Sequence, residues 1–213
     1  MTDFPMLRGL ADEERRHVIA AGVPRRFAAR EVVFHEGDPG DTLHLLVSGR
    51  VAVRATTRLG QSATLNLLGP GDAVGEMALL DPRARRTASV VALEPTHTLA
   101  LEGRRFAELR RRYPQIDRAL AALLAAKVRR ASEQVVESLY VPVEVRVARR
   151  LVELADAYGG DIRLTQDDLA GLVGTTRATA NTVLRALAGR GAVALRRGRI
   201  AVIDRGALER AGR

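Results

Sequence analysis

The chain has no cysteine and no tryptophan among its 213 residues. Without cysteine it can form no disulfide and no cysteine-ligated zinc or iron–sulfur site. Aromatic residues make up only 3% of it, so its core must be built from Leu, Val, Ile and Ala. No apolar run approaches the roughly 18 residues that a membrane span needs. No basic-then-apolar segment opens the chain either, and a cytoplasmic protein with no membrane partner is expected. No Ser-His-Asp grouping, P-loop or clustered metal-ligand spacing is legible, so neither an enzyme nor a metal site is expected. Lysine is nearly missing as well. Lys127 is the single one, and every other basic residue is arginine.

What is present is positive charge. The formal net charge is +9. Such an excess suits a polyanionic partner, although an arginine-rich composition alone would inflate it. The charge is uneven. Residues 142–213 carry 13 arginines against 8 acidic residues, more than half of the excess in a third of the chain.

Three parts are expected: a sensor domain over 1–112, a helix and hinge over 113–141, and a third domain over 142–213. A short amphipathic helix is expected over 8–21, with Leu10, Val18 and Ile19 on its apolar side. From Val23 to Leu101 short apolar alternations are cut by Gly37-Asp38-Pro39-Gly40, Ser48-Gly49 and Gly69-Pro70-Gly71-Asp72. Evenly spaced short strands of this kind predict a small β-roll, jelly-roll-like in character. Gly103 to Tyr140 reads as helical. Leu124, Val128, Ala131, Val135 and Leu139 recur there at spacings of four, three, four and four. That stripe suits a coiled-coil seam between two copies, or packing of the helix on its own domain. Pro142 marks the hinge. The fold class is therefore α+β.

The last part predicts a winged helix-turn-helix. A helix over Val143–Tyr158 ends at Gly159-Gly160. Thr165 is a good N-cap, with Asp168 three residues on. Helices over Gln166–Val173 and Thr176–Ala188 follow, with Ala170 and Gly174 small where the two must cross and turn. The second presents Thr176, Arg177, Thr179, Asn181, Thr182 and Arg185 on a polar face. In a DNA-reading helix, Arg pairs with guanine, Asn with adenine, and Thr with a base or the thymine methyl. Thr165 and Gln166, which open the first helix, are also candidate DNA contacts. A hairpin then brings Arg196, Arg197 and Arg199 to its turn, suited to phosphates.

The most informative stretch is VGEMALLDPRARRTASV, from Val74 to Val90. A short helix opening at Gly75-Glu76 would offer backbone N–H groups to an anion. Arg86 can neutralise a phosphate, and Thr87 can add a hydroxyl donor. Glu76 cannot favour a phosphate, but it can accept from a ribose hydroxyl. One acid and one arginine with glycines between them suit a ribose phosphate. The alternative is a surface turn closed by a Glu76–Arg86 ion pair.

With these residues in hand, the sequence resembles the CRP/FNR family of bacterial transcription regulators over nearly its whole length. The resemblance implies a cyclic-nucleotide-binding β-roll, a long dimerisation helix and a C-terminal winged helix-turn-helix. It implies a cytoplasmic homodimer on double-stranded DNA with a near-palindromic site, and possible contact with RNA polymerase. It requires no cofactor; the implied effector is cAMP or a related cyclic nucleotide. On that pattern Gly75, Met77 and Ala78 line the phosphate turn, Glu76 holds the ribose and Arg86 and Thr87 hold the phosphate. Lys127 and Ser132 face the ligand from the long helix. Ala131 departs from the Thr-Ser pair of cAMP-responsive members and lacks one adenine-contacting hydroxyl. Arg177-Ala178-Thr179-Ala180-Asn181-Thr182 departs from the family's Arg-Glu-x-x-x-Arg, so the half-site should differ. The absent cysteines exclude the iron–sulfur branch, and the four histidines share no haem-ligand spacing. The remaining alternative is a family member that binds DNA without a ligand or answers to a different effector.

Overall fold

The computed structural model describes residues 2–56, 62–80 and 84–213. They form two compact units, one of residues 1–62 and 66–128, the other of 63–65 and 129–213. Among the described residues, no helix is long and apolar enough to cross a membrane.

The first unit is a β-roll of two four-stranded antiparallel sheets. One runs β1 (Val23–Phe27), β8 (Thr96–Glu102), β3 (Thr42–Ser48), β6 (Ala73–Val74). The other runs β2 (Val32–Phe34), β7 (Ser89–Ala92), β4 (Val51–Thr56), β5 (Ser62–Leu68), although residues 63–65 of β5 fall in the second unit. β3 shows why the roll closes. Successive side chains of a strand point to opposite faces. Leu43 and Leu45 join a core with Phe4, Phe106, Ile116 and Leu120. Leu46, one residue out of phase, joins Val51, Leu68, Val74 and Val90 in a second core. A strand buried on both faces needs apolar residues at nearly every position, and Leu-His-Leu-Leu-Val supplies them.

Three helices flank the roll. α1 spans Asp12–Ala20, shorter than the 8–21 expected. Pro5–Leu7 forms a separate 3-10 turn, and the Glu14 carboxylate fixes the start of α1 by accepting the Ala11 N–H at 2.9 Å. α2 (Gly103–Arg112) buries Phe106 and Leu109 and turns its arginines outward. α3 (Gln115–Tyr140) is 26 residues long and runs through both units. Ile116 and Leu120 anchor its first turns in the core, and Leu123 and Leu124 pack against it.

The second unit follows the expected order closely. α4 spans Val143–Tyr158, α5 Gln166–Val173 and α6 Arg177–Gly189. β10 (Val193–Arg196) and β11 (Arg199–Val202) form the hairpin, and β9 (Asp161–Ile162) pairs β11 through Ile162 opposite Ile200. Arg196 stands opposite Arg199, leaving Arg197-Gly198 as the turn, with Gly198 at φ +68°. A further helix, α7 (Arg205–Ala211), has no counterpart in the sequence reading. It buries Leu208, and Arg205 pairs with Asp156 of α4.

One buried polar side chain inside the roll titrates abnormally. His44 of β3 is 7% exposed, and its Nδ1 lies 3.0 Å from the Thr98 hydroxyl. Phe27 and Phe34 flank its ring. Burial, and then the charges of Arg86 and Arg25, lower its pKa from 6.5 to about 4, against a smaller opposing pull from Asp41. The folded value lies below the unfolded one, so the unfolded chain takes up the proton first as pH falls. The stability is fully present above pH 6.5 and is lost as pH drops towards 4. Between about pH 7.5 and about pH 5 the part due to His44 should be roughly 2 kcal/mol. Urea unfolding of wild type and His44→Gln at both pH values checks this. An equal loss in the two proteins would contradict it.

Candidate functional site

The first candidate site lies where β6 ends. Gly75 sits at φ +94°, and a Cβ there would stand 2.5 Å from Arg86 Nη1 and 2.8 Å from the Thr42 carbonyl oxygen. Only glycine permits both the turn and the close approach. The expected short helix is a single 3-10 turn, Met77–Leu79, with Glu76 leading into it. Ala78 is buried against Gly40, where a side chain would collide with it, and Met77 is half exposed. Residues 81–83 of the stretch lie outside the described residues.

Two opposite charges are buried beside this turn. Glu76 is 2% exposed and Arg86 is 4% exposed. They do not form the ion pair that the sequence left open. Glu76 Oε1 instead accepts a hydrogen bond from Lys127 Nζ of α3 at 2.7 Å. Arg86 Nη1 donates to the Gly75 carbonyl at 3.1 Å, and Nη2 stands 3.6 Å from the Asp41 carboxylate. The guanidinium lies over the Phe34 ring at 4.1 Å, a cation–π contact that holds its plane. Burial pushes the Arg86 pKa down, and Asp41, Asp38 and Glu76 push it back up. Arg86 therefore keeps its charge, as an arginine must. Two buried polar atoms of this site have no hydrogen-bond partner among the described residues: Glu76 Oε2 and Arg86 Nε. One can accept a hydrogen bond and the other can donate one. Thr87 is exposed beside them, its hydroxyl 3.9 Å from the Met77 sulfur. Ser132 is exposed on α3 and belongs to the second unit.

Phe34 and Asp41 are missed by the sequence reading. Phe34 looks like any apolar residue of a strand, and Asp41 like any turn acid. Their contact with Arg86 appears only once β2, β3 and the loop after β6 are brought together. The pairing of Lys127 with Glu76 is likewise tertiary, spanning 51 residues.

The second candidate site is the surface of the helix-turn-helix. Thr165 caps α5: its hydroxyl accepts from Asp168 N at 3.1 Å and donates to Asp168 Oδ2 at 2.6 Å. Gly174 ends the helix in the left-handed region at φ +65°, which turns the chain into α6. Thr176 caps α6 by accepting from Thr179 N at 3.2 Å. Ala180, Val183, Leu184 and Leu187 are buried. Arg177, Thr182 and Arg185 are exposed, and Thr179 and Asn181 are half-buried on the same polar side. Thr182 spends its hydroxyl proton on the Ala178 carbonyl, so it is left as an acceptor. A groove of about 290 Å³ brings Thr165, Gln166 and Arg177 together with Arg196, Arg197 and Arg199 of the hairpin. Asp167 lies 3.4 Å from Arg177, and Asp161 holds Arg199 at 2.8 Å. Arg196 and Arg197, at the tip of the hairpin, are both exposed.

Comparison with known proteins agrees with this division of labour. Residues 24–113 match the cyclic nucleotide-binding domain, and residues 145–211 match the Crp-like helix-turn-helix domain. The cyclic AMP receptor protein of Thermus thermophilus is 38% identical over 210 residues, covering 98% of this chain and 97% of that protein. A CRP-like cAMP-activated global transcriptional regulator of Mycobacterium tuberculosis is 31% identical, covering 89% of this chain and 88% of that one. Among solved structures, the catabolite activator protein of Thermus thermophilus is 38% identical and covers 98% of both chains with a TM-score of 0.59. The c-di-GMP responsive regulator CLP of Xanthomonas campestris has a TM-score of 0.77 at 23% identity, over 91% of this chain and all of that one, a likeness of fold. Both halves of the chain, and its full length, thus place it in the CRP/FNR family of DNA-binding transcription regulators, which are not enzymes.

Proposed function

We propose that the chain acts as a cytoplasmic homodimer whose DNA binding is gated by a cyclic nucleotide, with cAMP as the first choice. The observation that carries this reading is the pair of unsatisfied buried atoms, Glu76 Oε2 and Arg86 Nε. Leaving such groups unpaired costs free energy that a bound ligand returns. A ribose 2′-hydroxyl would donate to Glu76 Oε2. The cyclic phosphate would take Arg86 Nε, the Thr87 hydroxyl and backbone N–H groups of the Gly75–Ala78 turn. Two related proteins bear names that tie them to cAMP, which supports the choice of nucleotide. Arg86→Ala should remove most binding, on the order of 3 kcal/mol or more, because a desolvated phosphate would lose its charge partner. Calorimetric titration with cAMP, cGMP and a cyclic dinucleotide reads both affinity and preference. If none gives heat with wild type, the ungated or other-effector reading stands. The filled Oε1 of Glu76 favours that second reading, since Lys127 already balances the acid.

The dimer rests on α3. Val128 is 67% exposed, Val135 58% and Leu139 69%, with Ala131 also exposed between them. Leu124 is half-buried and packs against the core. A row of exposed aliphatic side chains at coiled-coil spacing suits a second copy of the same helix. In this reading residues 1–112 sense, 113–141 dimerise and hinge, and 142–213 bind DNA. Two recognition helices one turn of DNA apart, roughly 34 Å, would favour a near-palindromic site. Val128→Glu should give monomers in light scattering and lose specific DNA binding. A wild type that is monomeric even on DNA would overturn the dimer.

On DNA, α6 would enter the major groove with Arg177 as the principal base reader, and Arg197 would hold phosphate. Arg177→Ala should cost about 1–3 kcal/mol and relax specificity at one base pair. Arg197→Ala should weaken all sequences alike and reduce the salt dependence. Fluorescence anisotropy on matched and single-mismatch duplexes over a salt series separates the two effects. If both changes erase sequence preference equally, the roles are assigned wrongly.

A further inference from the structure

A cavity of about 280 Å³ opens in the second unit where the C-terminal part of α3, the first three turns of α4 and the end of α5 meet. Its walls include Ser138, Arg146, Arg149 and Gly174, together with Ala131 and Val135 of the aliphatic row proposed for the dimer. The acids that line it already have partners. Glu137 stands 3.5 Å from Arg149, and Glu153 lies 2.7 Å from Arg150. Arg149 also donates through Nε to the Gly212 carbonyl at 2.7 Å. Arg146 is what remains. It is 9% exposed, and its Nε and Nη1 have no hydrogen-bond partner among the described residues.

A buried guanidinium cannot escape its desolvation cost by losing a proton. It needs an anion or several acceptors. The carbonyl end of α5 explains part of its position, since the negative end of a helix attracts a cation. Gly174 caps that end, and a Cβ on it would stand 3.9 Å from Arg146 Nη1. The dipole does not occupy the N–H groups of Nε and Nη1. Arg146 also stands in the first turn of α4, where the helix end is itself positive, so the local field adds to the demand for negative charge.

We propose that this cavity binds a small molecule carrying an oxyanion, phosphate or carboxylate, with Arg146 as its charge partner. The site adjoins the Val141–Pro142 break between α3 and α4 and the helix that precedes the DNA reader. A ligand there would stiffen the helix-turn-helix unit at its hinge. It is independent of the nucleotide pocket, which lies in the other unit.

The test uses the full-length protein. Pyrophosphate and citrate are each titrated at constant ionic strength, and Tm is read for wild type, Arg86→Ala and Arg146→Gln. Wild type and Arg86→Ala should show the same saturable rise in Tm with at least one of the anions, and Arg146→Gln should bind about tenfold more weakly or worse. The anion that saturates identifies the preferred chemistry. Should Arg146→Gln fail to fold, Ser138→Trp serves instead. It fills the cavity from the exposed side of α3, keeps Arg146, and should abolish the rise. No saturable rise in wild type would overturn the proposal. So would unchanged affinity in Arg146→Gln or Ser138→Trp, or a rise lost in Arg86→Ala, which would place the anion in the roll.

Discussion

Glu76 carries a charge that the interior of the β-roll cannot solvate, and the one lysine of the chain answers it. That ion pair ties the turn after β6 to α3, the helix that runs through both units. Glu76 is buried while Lys127 is about one-third exposed, so loss of the lysine would leave a buried carboxylate without its partner. On the proposed reading, the incoming ribose does not displace Lys127, because Oε2 is free to accept while Oε1 stays paired. The nucleotide therefore completes a site that α3 already helps to build. Any change in how Glu76 is held is felt by a helix whose exposed aliphatic row is the proposed dimer seam. A ligand shifts such an equilibrium only by its differential affinity for the two states.

Much of this was legible in the sequence because local patterns carry it. The second unit is the clearest case. Pro142, Gly159-Gly160, Thr165, Gly174 and Thr176 each have a fixed backbone task, and the helices begin or end where those residues dictate. The roll was legible as a class, since short alternations between glycine-rich turns leave few alternatives. What was not legible is tertiary. In place of the alternative Glu76–Arg86 pair stand Lys127 on one side and Asp41, Phe34 and the Gly75 carbonyl on the other. No spacing rule links residue 76 to residue 127. α7 escaped for a different reason: Arg205–Ala211 is seven residues with a single buried side chain, Leu208, too short for a helical period to show.

The excess of arginine has more than one use. In the groove between α5 and the hairpin, Asp167 and Asp161 hold Arg177 and Arg199 while Arg197 stands clear at the turn. Held arginines are oriented for directional contacts, and an unheld one suits a phosphate backbone. In the roll, Arg86 is buried over an aromatic ring and matched only in part. In the second unit, Arg146 is buried and unmatched. Net charge alone would have treated all of these as one electrostatic patch. Burial and pairing separate them into exposed, held and buried unmatched charges.

The central claim is that a nucleotide in the roll controls DNA binding. It is tested most directly by anisotropy of a labelled duplex, selected by the protein itself from a random pool, titrated with wild-type protein with and without saturating cAMP at one salt concentration. Typical coupling free energies of about 1–3 kcal/mol correspond to roughly 5–150-fold in affinity. cAMP should tighten binding within that range. Equal affinity in the two titrations would contradict it.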